Sequence, residues 1–230
     1  MRQFLILTMV IALTAMACSQ SETDFEVEPA DNGKGLVITG YTGTKTDVRI
    51  PAKIQGKPVK EIGENAFFGY SSLESIIIPN SVNSIGEFAF ASTSIKNIKL
   101  PAKITTIGDM AFARTGLTNI KWPAKTTKIG EGMFFECNNL KSIIIPKGVT
   151  IIESEAFASC LSLKVVKFPS TLGLIEEYAF ANCTALVNLI FSKGSAPPFS
   201  IQEFAFDGCS NLSPASRTAL RERYYLGEIF

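Results

Sequence analysis

The sequence predicts an α/β solenoid, in which short coils of chain stack along one axis and place parallel strands on one face. Two recurrences predict it. One phenylalanine returns every 22 to 26 residues, at Phe67, Phe90, Phe112, Phe134, Phe157, Phe180 and Phe206. A proline keeps the same period, at Pro79, Pro101, Pro123, Pro146 and Pro169. Because a unit of this length cannot bury its own apolar side chains, the units must share one interior.

Composition limits the function classes. The 230 residues are 46% hydrophobic and 19% charged, enough for one domain or one repeat array. With 22 Lys and Arg against 21 Asp and Glu, the chain has no overall field to hold nucleic acid. The absence of histidine excludes Ser-His-Asp and Cys-His catalysis and His-ligated metals. Since phosphate-binding, dinucleotide-binding and nucleophile-elbow motifs are also missing, we expect no enzyme and no cofactor.

The N-terminal segment, residues 1–17, has the composition of a secretory signal. Arg2 is followed by an apolar run that is too short to form a lasting membrane span. Small residues precede Cys18, an arrangement that lipoprotein signal peptidases cut to leave a lipid-modified cysteine; an ordinary signal that ends near a cysteine is the alternative. We expect lipidation of Cys18, a tether over residues 18–24, and a place in the cell envelope, at the outer membrane or cell surface.

Residues 25–61 are expected to form an N-terminal cap and a first, irregular repeat. The stretches FEVEP and GLVITGY flank Asn32-Gly33, a dipeptide that favours a tight hairpin turn. A β-hairpin here would cover the apolar edge of the first coil.

Residues 62–212 contain the repeats, and each is expected to supply one short strand. In LESIIIP, Ile76 and Ile78 point inward while Ser75 and Ile77 point outward. The proline ends the strand because it has no N–H for a ladder. The IGxxAF part predicts a short helical or 3₁₀ turn that returns the chain to the next strand.

Later units depart from the pattern in two ways. The glycine of the IG dipeptide becomes Glu153, Glu176 and Gln202, so this position cannot require a left-handed backbone. The stretch SKGSAPPFS, residues 192–200, lengthens the sixth unit and predicts a surface loop that Pro197-Pro198 stiffens.

The last segment, residues 213–230, predicts a helical cap. Ser213 suits the N-cap position and Pro214 the first helical position. The predicted helix runs to Tyr225 and places Leu220 against the last coil.

The repeat AFxxCxxLxxIxIPxxVxxIG resembles the BspA-like leucine-rich repeat family of the treponemal type, over residues 25–230. The resemblance implies a leucine-rich-repeat right-handed superhelix. It also implies a bacterial surface lipoprotein that attaches to host matrix, host cells or other bacteria. An envelope scaffold that faces the periplasm and has no host ligand is the alternative function, and an enzyme is the third.

Two sets of chemically active side chains recur at fixed positions. One is a column of cysteines, expected to be buried thiols rather than disulfides or metal ligands: Cys137, Cys160, Cys183 and Cys209. The other is a column of acids: Glu64, Glu87, Asp109, Glu131, Glu177 and Glu203. We expect these acids to complement the first turn of each helical segment rather than to form a catalytic pair or a cation site.

The outward strand positions form the candidate partner-binding surface, here called the sheet face. Its residues are Ser75, Ile77, Lys96, Asn97, Lys99, Asn119, Lys121, Lys141, Ile144, Lys164, Lys167, Asn188 and Ile190. Like charges side by side on a sheet, such as Lys99 beside Lys121, oppose its stability and favour an acidic protein partner. Alternatively, the lysine stems cover apolar strands and keep the sheet from pairing with others. Trp122 is expected in the core, and the membrane is expected to be contacted only through the lipid.

Overall fold

The computed structural model describes residues 21–31, 33–192 and 200–223. They form a β-solenoid of about seven turns that ends in one α-helix, which confirms the predicted fold. The predicted signal segment, Cys18, Asn32, Tyr225 and most of the 192–200 insertion lie outside the described residues.

The described elements are short. They are a 3₁₀ turn (Glu22–Asp24), β1 (Phe25–Pro29), β2 (Leu36–Tyr41), β3 (Asp47–Arg49), β4 (Lys53–Ile54), β5 (Lys57–Ile62), β6 (Ser75–Ile77), β7 (Ser84–Ile85), β8 (Asn97–Lys99), β9 (Thr106–Ile107), β10 (Lys128–Ile129), β11 (Ser142–Ile144), β12 (Ile151–Ile152), β13 (Val165–Phe168), β14 (Leu174–Ile175), β15 (Asn188–Phe191), β16 (Ser200–Ile201) and α1 (Pro214–Arg221).

The first side of the solenoid carries the sheet face. Strands β3, β6 and β8 form one parallel sheet, and β11, β13 and β15 form another. In the register of these ladders Ile76 lies opposite Ile98, and both are buried. The inward positions therefore fall where the sequence pattern predicts them.

The second side of the solenoid also has two sheets. The break between them falls at the same repeat as the break between the two sheets of the first side. Strands β5, β7 and β9 continue from the N-terminal hairpin, whereas β10, β12, β14 and β16 form a separate sheet. On the first side, residues 119–121 form no strand. The coils still connect there, since the Thr118 N–H donates to the Lys96 carbonyl at 3.1 Å and the Lys141 N–H to the Thr118 carbonyl at 3.2 Å.

The third side consists of hydrogen-bonded turns, so the prediction of a short helical return was wrong. In the first unit, Asn65 and Gly69 are the third residues of two successive turns and have φ of 56° and 70°. Type II turns require this conformation. A helix would use its N–H groups internally, whereas here alternate N–H groups bond to the next coil, as from Phe67 to the Ala89 carbonyl at 2.9 Å.

The core is organised around the marker phenylalanines. All seven stack in one file, with successive ring centroids 5.0 to 5.9 Å apart. Tyr41 extends the file at the N-terminal end, 5.7 Å from Phe67. Trp122 is buried and meets Phe134 edge-on at 5.4 Å, so it belongs to the core as predicted.

Both ends of the solenoid are covered. Strands β1 and β2 form the predicted antiparallel hairpin, and β2 pairs with β5 of the first coil. A second hairpin, which the sequence analysis missed, joins β4 to β5 through Gln55 and Gly56, both at positive φ. This pair of left-handed residues is the usual chemistry of a two-residue hairpin turn.

Helix α1 closes the other end. The Ser213 hydroxyl accepts a hydrogen bond from the Ser216 N–H at 3.2 Å, as an N-cap should. Ser216 in turn satisfies the edge of β15, because its hydroxyl accepts from the Leu189 N–H at 3.0 Å. Leu220 is buried as predicted, but the helix ends at Arg221 rather than at Tyr225.

The glycine of the IG dipeptide is needed for close approach between coils. A Cβ on Gly86 would lie 2.5 Å from the Glu64 nitrogen, and Gly86 has no positive φ. The inference that this position is not left-handed is therefore confirmed. Where Glu176 replaces the glycine, its carboxylate accepts from the Ser154 N–H at 3.0 Å and so bonds the neighbouring coil.

Candidate protein-interaction face

The structure places the sheet face on the surface. All of its residues are exposed except Ser75, which is half-buried and donates a hydrogen bond to the Asp47 carboxylate. Three isoleucines are unusually open for their type: Ile77 is 50% exposed, Ile144 64% and Ile190 45%. Single exposed apolar residues are ordinary, but here they recur at one position of the repeat.

The second outward column contains both apolar and cationic side chains. Ile77 is paired in register with Lys99, and Lys167 lies between Ile144 and Ile190. The aliphatic stem of a lysine can lie beside an isoleucine while its ammonium group reaches solvent. The face thus combines apolar contact area with positive charge.

The first coil of this face was not predicted from the sequence. Asp47 is paired with Ser75, and Arg49 with Ile77, so both lie in the two outward columns. The segment DVRIP has the same alternation and terminal proline as SIIIP. That similarity was the available signal, but the first, irregular repeat predicted within residues 25–61 contributes no residue to the predicted sheet face.

Positive charge on the sheet face is largely uncompensated. Lys96 pairs with Glu74 at 2.9 Å, but both side chains are more than half exposed, and such pairs contribute little. Within the described residues, five lysines of the face have no carboxylate within 4.0 Å: Lys99, Lys121, Lys141, Lys164 and Lys167.

The acidic column lies on the turn side, away from the sheet face. Its predicted role at helix starts is wrong, because those segments are not helical. Its backbone carbonyls join the ladder instead, as when Glu87 accepts from the Asn65 N–H at 3.0 Å. In the part of the chain that the structure describes, no group of three or more acidic or cysteine side chains could hold a metal ion. The lysines of the sheet face and the acids of this column therefore lie on different sides of the solenoid.

The cysteine column is buried and free of disulfides. Each thiol donates to a phenylalanine carbonyl of the preceding coil, as from Cys137 to Phe112 at 3.1 Å. Burial raises the pKa of Cys137 to about 11. These thiols are core groups that close backbone hydrogen bonds.

None of the described residues belongs to a helix long and apolar enough to cross a membrane.

Comparison with known proteins identifies the repeat. The BspA type leucine rich repeat region matches residues 60–187 and 128–218, in six copies. A Treponema pallidum leucine-rich repeat protein of known structure is 30% identical, with a TM-score of 0.83; the match covers 92% of this chain and 98% of that one. A leucine-rich repeat protein from Eubacterium ventriosum is 25% identical, with a TM-score of 0.66, covering 78% of this chain and 51% of that longer one. None of the functionally curated proteins matches the sequence.

Proteins with such repeats are generally non-enzymatic scaffolds for protein interaction. The family match over residues 60–218, the stacked phenylalanines and the parallel ladders all indicate the same repeat architecture. The chain belongs to the BspA-type leucine-rich repeat family.

Proposed function

We propose that the protein is an exported, lipid-anchored binding module whose sheet face attaches it to an acidic surface of a partner protein. The observation that carries the proposal is that exposed isoleucines and lysines without acidic partners share one column, with Ile144, Lys167 and Ile190 consecutive in register. Host matrix proteins, host-cell proteins and proteins of other bacteria are the partner classes that the family membership favours.

The face has two sources of binding energy. Burying a fully exposed isoleucine contributes about 1.5–3 kcal/mol, and the three isoleucines of the face, which are 45% to 64% exposed, offer about half of that each. The lysines attract an acidic partner over a longer range and raise the association rate. Because hydrogen-bonded ladders already hold the strands in place, binding costs little backbone conformational entropy.

Charge reversal tests the face. Immobilised fibronectin and laminin are probed with the native protein, with Lys99→Glu/Lys167→Glu, and with Lys53→Glu/Lys57→Glu as a control of equal charge change at exposed positions of the β4–β5 hairpin. We expect the face variant to bind an acidic partner at least about tenfold more weakly, and the control to stay close to native. Equal affinities of the native protein and both variants, with folding of the variants verified, would contradict the proposal.

The anchor is tested separately. The intact mass of the protein from the native envelope should correspond to a chain that starts at Cys18 and carries acyl groups, and Cys18→Ser should abolish both features. A chain that starts at Cys18 without acyl mass would contradict lipidation. Protease treatment of intact cells should degrade a surface-exposed protein, whereas survival would favour the periplasm-facing scaffold.

A further inference from the structure

A notch interrupts the corner between the sheet face and the turn side. The fourth unit takes nine positions from its marker to its inward strand residue, Phe134 to Ile143. The third unit takes only eight, Phe112 to Ile120, and the second unit is shortened in the same way, Phe90 to Ile98. Two adjacent coils therefore lack one residue at the same corner.

The missing residue removes a turn. In the fourth unit, the Leu140 N–H closes a turn onto the Cys137 carbonyl at 3.0 Å. In the third unit the Thr115 hydroxyl donates to the Phe112 carbonyl at 2.9 Å, and the chain passes at once into the next segment. The resulting notch, open to solvent, has a volume of about 400 Å³.

The floor of the notch is made of closely packed backbone. The Gly116 N–H donates to the Thr93 carbonyl at 3.2 Å. A Cβ on Gly116 would lie 2.9 Å from the Ser94 carbonyl oxygen, so this position needs glycine for space. The notch is therefore a built feature of two coils and not a gap between mobile side chains.

Two cations border the notch. Lys96 belongs to both the notch and the sheet face, and its pair with Glu74 at 2.9 Å is an exposed one. Arg114 pairs with Glu136, with Nε 2.9 Å from Oε2, but the arginine side chain is 58% exposed and the glutamate 37%. Exposed pairs of this kind contribute about 0–1 kcal/mol, so Arg114 can exchange Glu136 for another carboxylate at little cost. Glu136 also lines the notch, and the other lining residues are neutral and polar, including Thr115 and Asn138.

We propose that the notch receives an aspartate or glutamate side chain from a loop of the partner protein, with Arg114 and Lys96 as its ligands. The guanidinium fork pairs with a carboxylate through two parallel hydrogen bonds. Small-molecule sites are mostly enclosed and apolar, whereas this notch is open and polar and suits a protruding loop. The inference rests on the proposed function, since it assigns a specificity site beside the same face.

The probe is a fluorescein-labelled hexaglutamate peptide, with hexaglutamine as its neutral match, titrated into the purified protein and followed by anisotropy and by amide chemical shifts. We expect hexaglutamate alone to shift the amides of Thr115, Gly116 and Asn138. Arg114→Ala should weaken binding about tenfold. Ser94→Tyr, which fills the notch without changing charge, should weaken it as well, and Lys53→Ala should not.

Any of three results would overturn the proposal that the notch binds a carboxylate. They are equal binding of both peptides, shifts confined to the sheet-face amides, or native affinity in both Arg114→Ala and Ser94→Tyr. None of these depends on the result with fibronectin and laminin. If the protein binds those partners through Lys99 and Lys167 but does not bind hexaglutamate, the proposed function stands and the proposed role of the notch is wrong.

Discussion

Replacing Phe134 with alanine removes one ring from the middle of the phenylalanine file. The ring is fully buried, stacks on Phe112 at 5.9 Å and on Phe157 at 5.1 Å, and meets the edge of Trp122 at 5.4 Å. Substitutions of buried phenylalanine by alanine cost about 3–5 kcal/mol. We expect the upper part of this range, because the ladder bond from the Phe134 N–H to the Ala156 carbonyl, 2.8 Å, keeps the coils from collapsing into the cavity.

Urea unfolding followed by circular dichroism measures the loss as a fall in the midpoint and in the extrapolated free energy of unfolding. Phe68→Ala is the control, since Phe68 directly follows a marker residue but is 55% exposed. The control should change the free energy of unfolding by less than about 1 kcal/mol. If both substitutions cost the same, the phenylalanine file is not the common interior of the coils.

Two further predictions concern the spacing of the coils and the buried thiols. Gly86→Ala should destabilise the protein by about 1–3 kcal/mol, because the new Cβ would lie 2.5 Å from the Glu64 nitrogen, whereas Gly173→Ala, with its nearest contact at 3.5 Å, should be close to neutral in the same urea assay. Because burial raises the pKa of Cys137 from 9.0 to about 11, the protonated thiol's contribution to stability is complete below pH 9 and is lost as the pH rises toward 11. Native protein should therefore lose about 1 kcal/mol per pH unit more than Cys137→Ala in that window, and parallel stability curves would contradict this.

The sequence-based prediction succeeded where one periodic pattern decided the outcome. Alternation around Ile76 predicted the buried face of each strand, and the marker phenylalanines predicted the stacked interior. It failed where the local sequence is compatible with more than one backbone conformation. The IGxxAF segment fits a helical turn by composition, yet residues such as Phe88 and Tyr178 adopt positive φ so that their coils can bond to each other. A local sequence pattern does not reveal these hydrogen bonds between coils.

The candidate site shows the same division. Outward positions such as Lys99 and Ile144 followed from the strand period, but the place of Asp47 and Arg49 in the first coil emerged only from strand pairing. The unit lengths of 22 and 23 residues were visible in the sequence. Their consequence, a notch at the corner of two coils, was not.

The sequence by itself determined the repeat, the interior and the outward columns, because burial of apolar side chains at a fixed period admits one stacked arrangement. Only the tertiary structure decided the turns, the interrupted ladders and the Arg114 notch, since each depends on how one coil meets the next. Those contacts join residues more than 20 positions apart, as in the bond from Gly116 to Thr93.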